Sequence, residues 1–115
     1  MKIKDVMFKL LEELDKKGFI LVYKIALENG SCYIKVDYGL CCIRITTRKD
    51  YSKESYPYLM TIIIDDDINY DDIVKKIKDY KDDKLNKNGF YYYEKMLEGK
   101  KNPGRFWYQA KIYND

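Results

Sequence analysis

Residues 19–46 read FILVYKIALENGSCYIKVDYGLCCIRIT, and the alternation inside this stretch decides the fold. Phe19, Leu21, Tyr23, Ile25 and Leu27 recur at every second position, which puts them on one face of a strand. Asn29-Gly30 forms the favoured two-residue hairpin turn, because both residues tolerate positive φ. Pairing outward from it sets Leu27 against Cys32, Ile25 against Ile34 and Tyr23 against Val36. A second tight turn at Tyr38-Gly39 sets Val36 against Cys41, Ile34 against Ile43 and Cys32 against Ile45. Two independent turns bring the same apolar residues to the same side, so the stretch predicts a three-stranded meander with one core face.

The same register projects Lys24, Tyr33, Lys35, Arg44, Thr46 and Arg48 to the opposite side. Lys24 falls across from Lys35, a like-charge pair that costs some stability. Tyr33 falls across from Arg44. A basic sheet face carrying an aromatic ring suits a nucleic-acid backbone, and it suits an acidic protein surface equally. As a plain solvated face it would have Glu28 and Asp37 as diagonal neutralisers.

Before the meander, Ile3, Met7, Leu10 and Leu14 make a helical stripe over residues 3–17, supported by Val6 and Leu11, with Gly18 as the stop. After it come a polar loop, RKDYSKESYP, and a fourth strand from Tyr58 to Ile64. A helix over Tyr70–Lys81 turns Ile73, Val74, Ile77 and Tyr80 inward. FYYYEKML (90–97) and RFWYQAKIY (105–113) pair as a final hairpin; the helix formers from Glu94 to Glu98 make a short helix the other reading of 90–97. The expected fold is a single α+β domain over 1–115, in the order α-β-β-β-β-α-β-β. Its sheet is mostly antiparallel and five- to six-stranded, with two helices packed on one face.

IIIDDDINYDDIVKK (62–76) is the stretch that most resembles chemistry. Asp65 and Asp67 project to the same side of a strand end and could hold Mg²⁺ or Ca²⁺. The other reading is a helix start: Asn69 as N-cap, Asp72 three residues on, and Ile68 with Ile73 as a hydrophobic staple. Asp71 and Asp72 then sit where the helix dipole favours negative charge. The helix-start reading accounts for every charge, so no metal or cofactor is expected.

The chain has no histidine, which removes the usual general base and every Ser-His or Cys-His arrangement. No glycine-rich phosphate loop is present. Cys32, Cys41 and Cys42 are an odd number without a metal-type spacer, which favours small strand residues in a reducing, cytoplasmic setting. No apolar run approaches the ~20 residues that span a bilayer. An enzyme is therefore not expected.

The net charge of +3 hides a division. Asp65 to Asp83 carries eight aspartates and four lysines, while the remainder has 18 basic and 11 acidic residues. Such a dipolar surface can steer a partner of either sign. Thirteen tyrosines are more than one core can absorb, and tyrosine and tryptophan are favoured interface anchors. The expected function is protein binding through Lys24, Tyr33, Lys35, Arg44, Arg48, Tyr51, Tyr56, Trp107 and Tyr108. The alternative contact is acidic, through Asp66, Asp71, Asp79 and Asp82. No motif identifies a family. A small, charge-dense, tyrosine-rich domain without a catalytic set has the general character of phage or mobile-element inhibitors of host defence, such as anti-CRISPR proteins. Such an inhibitor would block a nucleic-acid-binding nuclease sterically or electrostatically. Direct nucleic-acid binding by the basic face is the second expectation, and metal-dependent catalysis at Asp65 and Asp67 the third.

Overall fold

The meander is present in the computed structural model, which describes residues 2–26, 30–37, 40–51, 58–64, 67–101 and 108–109, with backbone alone at 88–101 and 108–109. Strands β1 (Leu21–Ala26), β2 (Ser31–Val36) and β3 (Cys41–Thr46) pair antiparallel in sequence order. The second hairpin has the expected register, with Val36 opposite Cys41, Ile34 opposite Ile43 and Cys32 opposite Ile45.

The first hairpin is shifted by two residues. Ile25 faces Cys32, Tyr23 faces Ile34 and Leu21 faces Val36. Its last pair is Ala26 with Ser31, so the connection runs over 27–30 instead of the two residues Asn29-Gly30. Gly30 has φ +65°, and a Cβ there would lie 2.8 Å from the Thr47 hydroxyl, so the position demands glycine. A shift of two preserves which face each side chain occupies, because the strand period is two. It does change the cross-strand neighbours. Lys24 stands opposite Tyr33, and Lys35 stands opposite Val22, so the expected like-charge pair does not form.

Strand β4 (Met60–Ile63) runs parallel to β3, which makes the sheet mixed. The four strands lie in the order β4-β3-β2-β1, and a two-residue strand, β5 (Tyr108–Gln109), extends the β1 edge antiparallel to Val22 and Tyr23. Residues 90–97 follow the helical reading and not that of a hairpin strand, while 105–113 is described only at 108–109, the strand β5. Helix α2 runs from Tyr70 to Lys101, well past Lys81 and through residues 90–97. No proline interrupts the chain between Lys81 and Pro103, and the two glycines there, Gly89 and Gly99, each cost ~1 kcal/mol relative to alanine, far less than a proline.

Helix α1 (Ile3–Lys16) buries Val6, Met7, Leu10, Leu11 and Leu14 completely. It ends in a Schellman closure: the Gly18 N–H donates to the Asp15 carbonyl and the Phe19 N–H to the Leu14 carbonyl, while Gly18 takes φ +85°. Val74 and Ile77 of α2 join α1 against the meander's core face, in one cluster that includes Ile34, Val36, Ile43, Ile45 and Ile62. Asp37, just past β2, ties these layers together. It is 3% exposed and has φ +48°. Its Oδ1 accepts the Ile20 N–H at 2.9 Å, and its Oδ2 pairs with Lys81 of α2.

The helix-start reading of the aspartates is borne out at Asn69. Its Oδ1 accepts the Asp72 N–H at 3.2 Å, and Ile68 and Ile73 both pack against the core. Asn69→Ala is expected to cost about 1 kcal/mol, read as a lower midpoint in urea. An unchanged midpoint would mean that this cap carries no weight.

Candidate basic and aromatic site

Parallel pairing has a topological consequence. To run beside β3 in the same direction, the chain must return across the sheet between Thr46 and Met60. The two helices occupy the core face, and the return segment brings Tyr51 and Tyr58 over the other one. The face expected to be open is therefore partly covered. Arg44 is 7% exposed, and Ser31, Thr46 and Thr61 beside it are buried as well.

The register lines up Lys24, Tyr33, Arg44 and Thr61 as one row across all four strands. Arg44 Nε donates to the Thr61 hydroxyl at 3.2 Å. Its guanidinium carbon lies 3.7 Å from the Tyr51 ring centroid and 4.8 Å from that of Tyr58. Tyr58 also stacks on Tyr33 at 5.6 Å between centroids. Desolvated cation–π contacts of this kind are worth up to about 2 kcal/mol. Arg44 Nη2 is buried and has no hydrogen-bond partner among the described residues. Burial, and then the neighbouring Tyr33, push the Tyr58 pKa upward.

Tyr51 is held from outside. Arg48 Nη1 donates to its hydroxyl at 3.2 Å, while Arg48 Nε and Nη2 grip the two oxygens of Asp50 at 3.2 and 2.8 Å. The hydrogen bond from Arg48 is the main cause that lowers the Asp50 pKa below 3.8, and the same bond is the main cause that raises Arg48. A depressed carboxylate pKa stabilises the clip above the ordinary pKa, and that contribution is lost as pH falls through the depressed value. Asp50 is accordingly expected to titrate below 3.8 by carboxyl NMR and to move up on Arg48→Gln. No upward movement would mean that the clip does not persist in solution.

The structure thus brings Lys24, Tyr33, Arg44, Arg48 and Tyr51 to one side, and adds Tyr58 and Thr61. Neither addition belongs to the sequence-derived set. The signal for both is the alternation through Met60 and Ile62, which matches Ile43 and Ile45 as a parallel neighbour. Lys35 lies on the same face one pair away, opposite Val22 and Cys42. Tyr56 and Trp107 lie outside the described residues, as does the side chain of Tyr108.

The acidic segment is less one-sided than its aspartates suggest. Between Asp67 and Lys87 there are six aspartates and six lysines, and Lys75–Asp79 and Lys87–Asp83 pair at i,i+4 spacing. Asp71 and Asp72 sit in the first turn of α2, while Asp71, Asp79 and Asp82 are all exposed. Asp65 and Asp66 fall outside the described residues. Among the described residues, no three His, Cys, Asp or Glu side chains gather as a metal-holding group, and no helix is long and apolar enough to cross a membrane. Burial pushes the Cys41 thiol up to about 12 and that of Cys42 to about 11, so both are protonated strand residues at neutral pH.

No family model, curated protein or solved structure matches the chain. What defines the molecule is therefore its own architecture: an α+β domain with a mixed sheet, helices on one face and a half-covered basic and aromatic row on the other.

Proposed function

We propose that this protein is a non-enzymatic binding module that acts by occupying a surface of another protein, with the row around Arg44 as the contact. The observation that supports this reading is a buried guanidinium with a donor that no described residue uses, set among tyrosines beside the exposed Arg48. Arginine and tyrosine at such positions are the usual carriers of interface energy. A protein partner is favoured over nucleic acid because the rings are already engaged. Tyr58 stacks on Tyr33 and, like Tyr51, lies against Arg44, whereas base recognition needs free ring faces. In its narrowest form the proposal makes the protein an inhibitor of a host nucleic-acid-targeting defence complex, encoded by a phage or mobile element and working by steric or electrostatic blocking.

The test is capture from a host lysate, followed by reconstitution with the purified partner without nucleotide or metal. The expected result is one dominant partner whose nuclease activity falls on binding. Nucleic acid alone should bind no tighter than ~10⁻⁶ M at physiological salt. Tight, salt-resistant binding to one nucleic-acid sequence would replace this reading with the nucleic-acid one. Catalytic turnover lost on joint Asp65→Ala and Asp67→Ala substitution would replace it with the metal-dependent enzyme.

A further inference from the structure

We propose that Arg44 is an anion subsite for a carboxylate of the protein partner, with the Tyr51 ring as its movable cover; this rests on the binding-module reading above. A guanidinium presents five N–H donors in a planar fork. At Arg44 the Nε is used by Thr61, and the buried Nη2 faces no acceptor among the described residues. A buried charged donor without an acceptor is unfavourable, and each such group calls for an explanation such as an ion absent from the site. A carboxylate matches the fork in shape and is flat enough to lie in the plane of the guanidinium beside a ring. The chain shows a carboxylate gripping a guanidinium nearby, where Asp50 takes Nε and Nη2 of Arg48; at Arg44, with Nε given to Thr61, the edge left for a carboxylate is the Nη1–Nη2 end.

The cover is attached in a way that lets it move. Tyr51 lies on Arg44, and its hydroxyl bonds to Arg48, three residues away and itself exposed and gripped by Asp50. These hydrogen bonds join residues of one short segment, anchored to the end of β3 by the Arg48 N–H donating to the Thr46 hydroxyl at 3.1 Å, so the side chains of Arg48, Asp50 and Tyr51 can swing as a unit about that anchor without breaking the sheet. Lys24 adds a second positive charge in the same row. It lies two strands from Arg44, about 10 Å at the usual strand spacing. The ligand this arrangement fits is an extended acidic segment with two carboxylates roughly that far apart.

The probe is a hexaglutamate peptide, titrated into the folded protein while the arginine side-chain N–H signals are followed by NMR. A saturable shift of the Arg44 signals is expected, together with a change at the Tyr51 ring. Arg44→Lys should weaken binding at least tenfold, and Lys24→Gln by a few-fold. Tyr51→Ala should tighten it, because the cover is gone. Shifts confined to Arg48, with Arg44 silent, would overturn the subsite, and the wild-type titration reads this without any variant. Weaker binding by Tyr51→Ala would overturn the cover. If inorganic phosphate or an oligothymidylate saturates Arg44 more tightly than hexaglutamate, the carboxylate assignment fails. An Arg44 Nη signal already hydrogen-bonded and protected in the free protein would place the acceptor within this chain and also overturn the proposal. A captured partner whose binding ignores Arg44 would sink the subsite and leave the binding-module reading standing.

Discussion

Arg44→Met is expected to leave the fold as stable as before, or to stabilise it by up to about 2 kcal/mol, while weakening partner binding by more than about 2 kcal/mol. Replacing a buried charge by an apolar side chain of similar volume is often neutral or stabilising, because the desolvation of the ion disappears. Methionine keeps the length that packs beneath Tyr51 and Tyr58. What is lost is the cation–π attraction, up to about 2 kcal/mol, and the bond to Thr61, about 1 kcal/mol. A desolvation penalty of several kcal/mol for a buried ion offsets both. Binding should fall because a buried arginine anchor is the type of residue whose removal costs most at an interface. Urea unfolding and calorimetric titration with the partner read the two effects separately. If Arg44→Met destabilises the fold by more than about 1 kcal/mol, the guanidinium serves structure and the site loses its main support.

The largest loss of stability outside the hydrophobic core is expected from Asp37→Ala, at about 3 kcal/mol. Three effects combine there. Alanine must adopt φ near +48°, which costs a residue with a Cβ roughly 1–2 kcal/mol. The Ile20 N–H loses its acceptor, and Lys81 loses its carboxylate. Breaking a fully buried pair costs about 3–5 kcal/mol. The Lys81 side chain is 30% exposed, so solvent takes up part of that charge and the loss is smaller. Asp37→Asn should cost only about 1 kcal/mol, since asparagine accepts positive φ and can still receive the Ile20 N–H. Equal losses for the two substitutions would mean that the ion pair, not the backbone conformation, dominates. No loss for either would mean that Asp37 does not fasten α2 to the sheet.

The parts of the fold legible in the sequence are those set by short-range rules. The register of the second hairpin, the helix stop at Gly18 and the cap at Asn69 are each decided within about six residues. The misreadings arise where a long-range partner decides. Asn29-Gly30 has the chemistry of a two-residue turn, yet pairing ends at Ala26 and Ser31, and the wider connection displaces the register by two. β4 looks the same locally whether it pairs parallel or antiparallel, and only the sheet order shows the direction. That one choice separates an open basic face from a covered one. Residues 90–97 alternate poorly and contain good helix formers, but three adjacent tyrosines resemble a strand until the uninterrupted helix from Tyr70 is taken into account. Within the site, Tyr33 and Arg44 follow from the second hairpin's register, whereas Tyr58 and Thr61 needed the parallel neighbour.

The crossover between β3 and β4 also orders events in time. The two hairpins close over short connections, while β4, parallel to β3, can pair only after the longer connection from Thr46 to Met60 has closed. Closing a longer loop costs more entropy and slows the pairing that depends on it. β4 should therefore dock after the meander during folding, and as an edge strand it should detach before β2 and β3 during native-state opening. Amide hydrogen exchange would show this as weaker protection at Ile62 than at Ile34. Arg44 is dehydrated only when that later unit is in place, because Tyr51 and Tyr58 both ride on the crossover. A partner that reaches Arg44 must therefore wait for the Tyr51 cover at the start of that crossover to swing open. Its association should be gated by that opening, with an observed rate that levels off as partner concentration rises instead of climbing to the diffusion limit.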